Sequence, residues 1–458
     1  MRLTSPLTAL AALVVTGLGV AVTTTATATA SPSKQTTVRS TTTTGGSMLW
    51  IEKYPGHATQ GEGAEGTAVV ASPDGSAVFV TGSTDKAGVG LGVTEAYNAT
   101  TGAGIWRSTF RDRGRNAFYA IATSPDGSKV FVTGGQTAGL DGSNYATVAY
   151  NAATGVQLWA DKVGGIGPAR AVAVSPDGSI VYVSGSAGLA AYNASTGAPL
   201  WGDAGGTSLA LSPDGSTLYV TGDGTITTGG TSYYTYLTRA YNAVSGTALW
   251  TAQYKIPRGN CNVYSLKVSP DGSTVFITGY AAEASGTTTY RTVAYDAATG
   301  AQLWVRSFLN GKGPSWALSL AVSPDSSKVF VTGGTNIASG GGYGTVAYNA
   351  TTGAALWVAR YGTNPNGATG ADIAVSPDGS QVFVTGASGG KAAGVSAYGT
   401  VAYNADTGVQ SWAARYGPGP GDGALSVAVS PDGSKVFVTG GLQPQGADSD
   451  MVTVAYRS

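Results

Sequence analysis

Hydrophobic residues along this chain fall in short alternating runs, and polar turns join neighbouring runs. The first kind of turn is Ser-Pro-Asp-Gly, as at residues 72–75, and a run such as Val-Phe-Val-Thr-Gly at 130–134 follows it. Proline presets φ at the second position, and glycine accepts the positive φ of the last one. The pattern predicts a β-hairpin at every copy. Eight copies begin at Ser72, Ser124, Ser175, Ser212, Ser269, Ser323, Ser376 and Ser430. The sixth copy has Ser326 in place of the glycine, so we expect a non-glycine residue in the left-handed region there.

A second turn begins with Asn or Asp, ends with glycine four residues later, and precedes a strand that carries a tryptophan. The Asn or Asp side chain folds back on the local backbone, and glycine ends the turn. Seven copies begin at Asn98, Asn151, Asn193, Asn242, Asp296, Asn349 and Asn404. The tryptophans of this strand are Trp50, Trp106, Trp159, Trp201, Trp250, Trp304, Trp357 and Trp412. Together the turns mark a four-stranded unit in eight copies.

The repeated unit is split between the two ends of the sequence. Successive Ser-Pro turns are 51 to 57 residues apart, except that Pro176 and Pro213 are separated by 37. The last copy, residues 424–456, has no tryptophan strand, whereas residues 48–54 carry one at the start. We therefore predict an all-β fold, an eight-bladed β-propeller of four-stranded antiparallel blades in which the N-terminal strand completes the last blade. An open solenoid is the alternative, but it does not explain the split unit.

Residues 1–30 have the pattern of a secretory signal peptide. Arg2 precedes an apolar run at 7–22, and Ala28-Thr29-Ala30 forms a small-x-small cleavage site. An uncleaved membrane anchor is the alternative. Residues 31–46 are rich in Ser and Thr and are predicted to be a linker, and residues 47–458 form the propeller. We expect a protein that is secreted, extracellular or cell-wall associated after cleavage near Ala30, with no membrane span in the mature chain.

The turn and tryptophan pattern resembles a known family. Residues 149–159, Ala-Tyr-Asn-Ala-Ala-Thr-Gly-Val-Gln-Leu-Trp, are similar to the tryptophan-docking motif of pyrroloquinoline-quinone propellers. The preceding Ser-Pro-Asp-Gly-Ser halves resemble the repeats of YVTN-type bacterial propellers. The resemblance covers nearly all of residues 47–458 and implies that the eight blade tryptophans are structural. For the quinoprotein dehydrogenases it would also imply pyrroloquinoline quinone and calcium in the channel, a disulfide between adjacent cysteines, and an Asp base.

Composition limits the chemistry. Lys and Arg together number 25, as do Asp and Glu, so no basic field favours nucleic acid. With Cys261 as its one cysteine, the chain cannot form the disulfide of the dehydrogenases. His57 has no partner at metal-ligand spacing, and a surface position is expected for it. Cys261 is expected to be an inert, buried thiol. The pair Asp448 and Asp450 lacks the spacing of a calcium loop.

Both repeated turns connect alternate strands, so they must lie on one face of the disc. Connections of variable length then lie on the other face, and loops on a rigid scaffold usually carry function. The longer ones are predicted at residues 107–116, 221–236, 255–262, 310–316, 361–372 and 440–450. The candidate ligand-binding residues on this face are Arg111, Arg113, Arg115, Arg258, Lys312 and Trp316. Structural alternatives are a solvated loop for Arg111, Arg113 and Arg115, and a filled gap for Trp316.

Residues 233–236, Tyr-Tyr-Thr-Tyr, suggest an aromatic platform for sugar or peptide, with strand packing as the alternative. No catalytic triad or phosphate loop is visible in the sequence. We therefore expect a non-catalytic binding or scaffold module, monomeric and without a cofactor, whose partner is an extracellular protein, peptide or glycan. The alternative is a channel-centred enzyme of the quinoprotein-dehydrogenase or lactonase-like type. A third interpretation is an outer-membrane assembly propeller, against which the absence of a lipid-anchor cysteine counts.

Overall fold

A computed structural model describes residues 44–54, 63–86, 89–112, 114–137, 143–163, 167–186, 188–256, 259–283, 286–309, 313–337, 340–364, 368–389, 396–419, 421–443 and 449–458. All regular secondary structure in these residues is β-strand. No helix that is long and apolar enough to cross a membrane occurs in them.

The first strand, β1 (Met48–Tyr54), precedes the blades, which we number along the chain. Blade 1 contains β2 (Ala64–Ala71), β3 (Ala77–Lys86), β4 (Val89–Asn98) and β5 (Gly104–Phe110). Blade 2 contains β6 (Arg115–Thr123), β7 (Lys129–Thr137), β8 (Ser143–Asn151) and β9 (Gln157–Val163). Blade 3 contains β10 (Ala169–Val174), β11 (Ile180–Gly185), β12 (Gly188–Asn193) and β13 (Pro199–Asp203). Blade 4 contains β14 (Ser208–Leu211), β15 (Thr217–Thr228), β16 (Thr231–Asn242) and β17 (Ala248–Lys255).

Blade 5 contains β18 (Cys261–Val268), β19 (Thr274–Ala282), β20 (Thr288–Asp296) and β21 (Gln302–Phe308). Blade 6 contains β22 (Ser315–Val322), β23 (Lys328–Ile337), β24 (Gly340–Asn349) and β25 (Ala355–Asn364). Blade 7 contains β26 (Ala368–Val375), β27 (Gln381–Gly389), β28 (Ser396–Asn404) and β29 (Gln410–Gly419). Blade 8 contains β30 (Gly423–Val429), β31 (Lys435–Leu442), β32 (Asp450–Arg457) and, as its fourth strand, β1.

The strands pair in sequence order within each blade, and all ladders are antiparallel. In the described residues, a single backbone pair, Gly334 with Thr369, connects the sheets of blades 6 and 7. In blade 8, β1 pairs with β32 in a register that sets Trp50 opposite Ala455 and Tyr54 opposite Met451. The predicted eight-bladed ring, with its last blade completed by the N-terminal strand, is confirmed.

The closure includes a residue that the sequence analysis assigned to the linker. Gly46 has φ of 78°, and its backbone N–H donates to the carbonyl of Arg457 (2.9 Å). A Cβ at Gly46 would lie 2.8 Å from the Trp412 ring. Gly102, with φ of 76°, lies in the same way against Trp50. Gly46 therefore supplies the turn glycine of the eighth unit, four residues before Trp50.

Each blade tryptophan packs between its own blade and the next. Trp50, for example, contacts Phe437 of blade 8 and Tyr97 of blade 1, with ring centroids 5.8 and 6.2 Å apart. Its Nε1 donates to the carbonyl of Ala99 in blade 1 (3.1 Å). Seven of the eight make this hydrogen bond, and within the described residues Trp412 Nε1 has no acceptor. These rings bury much of the area between blades.

The predicted Ser-Pro-Asp-Gly turns are closed by their own polar groups. Asp74 Oδ1 accepts from the Ser72 hydroxyl (2.6 Å) and from the Ser76 backbone N–H (3.0 Å). These bonds stabilise the carboxylate and lower the pKa of Asp74. In the sixth copy Ser326 has φ of 61°, as predicted, and its hydroxyl accepts from the Asp271 backbone N–H (3.0 Å) in the neighbouring turn.

Most predicted long loops are shorter than expected because strands continue into them. Residues 221–236, predicted as one long connection, form the ends of two 12-residue strands joined at Gly229 and Gly230. Strands β25 and β26 likewise occupy most of residues 361–372. Backbone pairing needs no apolar side chain, and Thr and Tyr favour strands, so the hairpins extend past the apolar pattern.

Candidate functional site

The two repeated turn types lie together on one face of the disc. In blade 1 the backbone N–H of Ala99, in the second turn, donates to the carbonyl of Ser76, in the first turn (3.0 Å). The equivalent bond recurs in the other blades; Ala152 to Ser128 is an example (2.9 Å). We call this side the repeat-turn face. Because adjacent strands are antiparallel, the other connections end on the opposite side, the variable-loop face.

Three of the predicted site residues lie in the described part of the chain. Arg111 and Arg115 are exposed at the connection between β5 and β6, where Arg115 Nη1 is 3.6 Å from Asp85 Oδ2. Trp316 is half-buried in β22, with its ring over Gly334. Arg115 is in blade 2 and Trp316 in blade 6, half a ring apart. Arg113, Arg258 and Lys312 lie outside the described residues, as do His57 and Asp448.

The tyrosines at 233–236 divide between packing and surface. Tyr236 is buried, and its hydroxyl donates to the carbonyl of Tyr280 (2.6 Å). Tyr234 is 47% exposed. Lys255 Nζ lies 3.4 Å from the centroid of the Tyr233 ring, a cation–π contact. The end of the β15–β16 hairpin thus presents an aromatic and cationic surface on the variable-loop face, whereas Tyr236 belongs to the core.

A polar network that the sequence analysis did not find joins blades 4 and 5 beside this hairpin. Asp223 Oδ1 accepts from the Val263 backbone N–H (2.7 Å). In the orientation that satisfies both ends of the amide, Asn262 Nδ2 donates to Asp223 Oδ2 (3.2 Å). Its Oδ1 then accepts from the hydroxyls of Tyr264 (3.1 Å) and Tyr280 (3.2 Å). Asp223 belongs to another blade and is far in sequence from residues 262–264, so no local motif signals the network.

Cys261 lies next to this network, and it is buried. Desolvation by burial, with the charge of Asp223 nearby, raises the pKa of the Cys261 thiol to about 12. The thiol is therefore protonated at neutral pH, as expected for an unreactive cysteine.

The first strand of every blade faces the central channel, because the second strand and the neighbouring blades cover its other sides. In seven of these strands a β-bulge inserts one extra residue, and four of the seven inserted side chains are exposed: those of Tyr119, Arg170, Tyr264 and Leu425. The seven residues are Thr67, Tyr119, Arg170, Tyr264, Leu318, Ala371 and Leu425. Arg170 lies over the Tyr119 ring (5.5 Å to the centroid). The channel wall is thus asymmetric, although the blades repeat.

The residue after the bulge, or its counterpart Ser208 in blade 4, which has no bulge, links neighbouring blades in the second half of the ring. Ser208, Ser265 and Ser426 each accept a backbone N–H of the following blade. In blade 7 the residue is Asp372, which accepts from the hydroxyls of Ser319 (2.8 Å) and Ser426 (3.3 Å) and from two backbone N–H groups. Blades 1 to 3 have alanine at this position: Ala68, Ala120 and Ala171. At this position the polar links between blades are therefore confined to blades 4 to 8, whereas Thr67 Oγ1, at the bulge of blade 1, donates to the carbonyl of Phe118 in blade 2 (2.6 Å).

A cavity of about 410 Å³ lies along the channel between this ring and the repeat-turn face. Its walls are the first strands of blades 5 to 8 and the prolines of three Ser-Pro-Asp-Gly turns. Most lining side chains are Ala, Val, Ile and Pro, and the charged ones are Lys267 and Asp372. The sequence pattern predicts a binding site on the variable-loop face, and it contains no signal for this cavity.

Pyrroloquinoline quinone with calcium does not fit the described channel residues. Cys261 is the one cysteine of the chain, and it is buried. The acceptor sites of Asp372 are filled by four protein donors, so its carboxylate is not free to hold calcium. The Trp316 ring lies against Gly334. Within the described residues no group of three or more His, Cys, Asp and Glu side chains has the arrangement of a metal site.

A buried ionic cluster lies at the seam between blades 8 and 1. Glu95 is 2% exposed, and its carboxylate accepts from Arg107 Nε and from the hydroxyl of Tyr97. The Arg107 guanidinium also lies over the ring of Tyr54 in β1, 4.2 Å from its centroid. Five other blades have valine at the position of Glu95: Val148, Val293, Val346, Val401 and Val454. The departure of Glu95 from this valine pattern is the sequence signal for the cluster.

Known structures share this architecture. Sqt1 from Chaetomium thermophilum, bound to the N-terminus of ribosomal protein L10, is 13% identical, with a TM-score of 0.60 over 89% of this chain and 100% of that chain. BamB from Moraxella catarrhalis is 16% identical, with a TM-score of 0.51 over 90% of this chain and 99% of that chain. The quinohemoprotein alcohol dehydrogenase of Comamonas testosteroni is 14% identical, with a TM-score of 0.52 over 89% of this chain and 76% of that chain. At such identities the likeness concerns the fold.

Comparison of the sequence with curated proteins gives no match. A family profile, described as outer membrane protein assembly factor BamB, matches residues 34–203, 144–257 and 235–414. These overlapping matches cover most of the chain and reflect its internal repeat. The chain therefore belongs to the outer membrane protein assembly factor BamB family, whose members are β-propellers of pyrroloquinoline-quinone-like repeats.

Proposed function

We propose that this protein is a non-catalytic binding module that recognises a protein or peptide through its variable-loop face. The proposal rests on one observation: the symmetry of the repeats is broken on the variable-loop face and is kept in the turns of the repeat-turn face. The turns of the repeat-turn face are near-identical, and their carboxylates accept from their own serines, as Asp74 does from Ser72 and Ser76. The variable-loop face carries the long β15–β16 hairpin and side chains without counterparts in other blades, and specific binding needs such individually placed groups.

The family match and one of the similar structures support a protein or peptide as the partner. The family description names an assembly factor, and the Sqt1 structure holds the N-terminus of a ribosomal protein. For this chain we propose Arg111, Arg113, Arg115, Arg258, Lys312 and Trp316 as residues of the binding face. Arginine and tryptophan are the side chains most enriched among residues that dominate protein interfaces. A glycan as the ligand would be the alternative outcome of the test below.

The test uses the purified full-length mature protein on arrays of unstructured peptides and of soluble oligosaccharides. For a ligand found there, Arg111→Ala with Arg113→Ala, and separately Trp316→Leu, should weaken binding roughly tenfold or more. The matched control is Val244→Asp on the repeat-turn face, where Val244 is 70% exposed. Melting curves check that every variant is folded. Loss of binding in the control, with no loss in the face variants, would contradict the proposal.

We further propose that the protein is exported, since residues 1–30 have the pattern of a signal peptide. The N-terminus of the protein recovered from its native source should then be near Ser31, which N-terminal sequencing determines. The non-catalytic part of the proposal has its own assay: dye reduction with alcohols or sugars after addition of pyrroloquinoline quinone and calcium. Sustained turnover in that assay would refute it.

A further inference from the structure

The wall of the channel cavity contains one lysine at a position where the other blades have small apolar residues. Lys267, in the first strand of blade 5, pairs with Phe276 of the second strand. In every other blade the residue paired with the equivalent Phe or Tyr is aliphatic: Val70, Ala122, Ala173, Ala210, Ala321, Ala374 and Ala428. Six of these seven are alanine. Blade 5 therefore introduces a cation into an otherwise apolar ring.

This cation has no acidic partner among the described residues. None of their ion pairs involves Lys267, although its side chain is exposed and lines the 410 Å³ cavity. Asp372 lies in the same wall, but four donors fill its oxygens: two hydroxyls, of Ser319 and Ser426, and two backbone N–H groups, of Ile373 and Val427. Asp372 is thus committed to linking blades, and the Lys267 ammonium is left to the cavity.

The surroundings of Lys267 indicate the chemistry of a ligand. The cavity is lined mainly by aliphatic side chains such as Val268, Ala321, Val322 and Ala374. Its volume is within the range of small-molecule sites, which combine apolar walls with a few placed polar groups. One ammonium matches one carboxylate, whereas a phosphate dianion is usually held by several cations or by arginine. The prolines Pro270, Pro324 and Pro377 of the turns form the edge on the repeat-turn side.

We propose that this cavity binds a small monocarboxylate with an apolar body, whose carboxylate contacts Lys267 and whose body lies against the aliphatic wall. The site is separate from the proposed interface on the variable-loop face and does not depend on it. Ligands would enter from the repeat-turn face.

The experiment is calorimetric titration of the full-length mature protein with benzoate, a carboxylate on an apolar ring, and with benzamide, its neutral isostere. Benzoate should bind at least roughly tenfold more tightly than benzamide, because only benzoate forms a charge-assisted hydrogen bond with the ammonium. Lys267→Ala should abolish this preference and weaken benzoate binding roughly tenfold or more. The alanine is the residue of six other blades, so the fold should accommodate it.

Two further variants make the test specific. Lys255→Ala removes a lysine of the variable-loop face and should leave benzoate binding unchanged. Ala374→Leu narrows the cavity without removing charge and should weaken binding of both probes. Thermal unfolding of each variant verifies the fold. Equal benzoate affinity in the wild-type protein and Lys267→Ala, or no benzoate binding to the wild type at millimolar concentration, would overturn the proposal.

Discussion

Trp357 and Trp412 occupy equivalent positions in neighbouring blades but differ in one hydrogen bond. Trp357 Nε1 donates to the carbonyl of Ala405 (2.9 Å), whereas Trp412 Nε1 has no acceptor among the described residues. Trp357→Phe should therefore lower the free energy of unfolding by about 1 kcal/mol more than Trp412→Phe, since an intramolecular hydrogen bond contributes about that amount. Urea unfolding of the two variants measures the difference, and equal losses would contradict the prediction.

Arg107 supplies the positive charge beside the buried carboxylate of Glu95, to which the Tyr97 hydroxyl also donates. Removing it with Arg107→Ala leaves Glu95 buried without its cation, and we expect a loss of about 2–4 kcal/mol of stability. Glu95→Val, which installs the residue of five other blades, should cost much less or nothing, because buried ion pairs are often replaceable by packed aliphatic groups. Chemical denaturation of both variants provides the comparison. A greater loss in Glu95→Val would contradict this account.

Glu52 makes the seam sensitive to pH. Burial, with the charge of Glu95 nearby, raises the pKa of Glu52 from 4.5 to about 6. Since the pKa is higher in the folded state, the protonated form favours folding, and this stability is lost as pH rises from 4.5 through 6. Glu52→Gln mimics the protonated form. It should be more stable than the wild type at pH 7.5 by up to about 1 kcal/mol, less than the pKa shift alone implies, because Glu52 is only half-buried and water screens its interactions.

Melting temperatures of wild type and Glu52→Gln between pH 4.5 and 7.5 check this prediction. The difference between the two proteins should shrink as pH falls through 6, and contributions of other titrating groups largely cancel in it. A constant or growing difference towards low pH would show that Glu52 does not titrate in this way.

At the scale of elements, β1 holds the ring closed. It pairs with β32 and buries Trp50 and Tyr54, and Gly46 precedes it against Trp412. Removing residues 31–43 from the mature chain should leave the melting temperature unchanged. Removing residues 31–54 should lower it by roughly 5–10 °C or more and promote aggregation, because the edge of β32 becomes unpaired. Scanning calorimetry and light scattering compare the two. Equal melting temperatures would refute the role of β1 in closure.

For the whole molecule we predict a monomer that does not bind nucleic acid. Exposed aliphatic residues are scattered over the outer strands of different blades, for example Ile105, Leu200 and Leu303, and scattered exposed residues do not form a docking patch. Positive and negative side chains are equal at 25 each. Light scattering should give the mass of one chain, and fluorescence anisotropy with labelled DNA should show no binding at 150 mM salt. A mass of two chains would contradict the prediction and would indicate contact between copies through the outer strands.

The local residues of the repeat determined the architecture. Turn chemistry, the alternation of the strands and the tryptophan spacing recur eight times, so the blade number, the split last blade and the positive φ of Ser326 followed from the sequence. Each of these features depends on interactions within a few residues, or on the number of repeated units in the sequence. The lengths of the loops were overestimated, because hairpin pairing continues without apolar side chains, as in β15 and β16.

Only the tertiary structure decided which departures from the repeat face one another. Lys267 and Asp372 share one cavity wall because the first strands of different blades meet at the axis. Asp223 and Asn262 meet across a blade boundary, and Arg107, which pairs with Glu95 inside blade 1, reaches Tyr54 of β1 across the ring closure. In the sequence, each of these residues is an isolated departure from the repeat pattern. Their chemistry depends on distances between blades, which closure of the ring sets and local sequence does not.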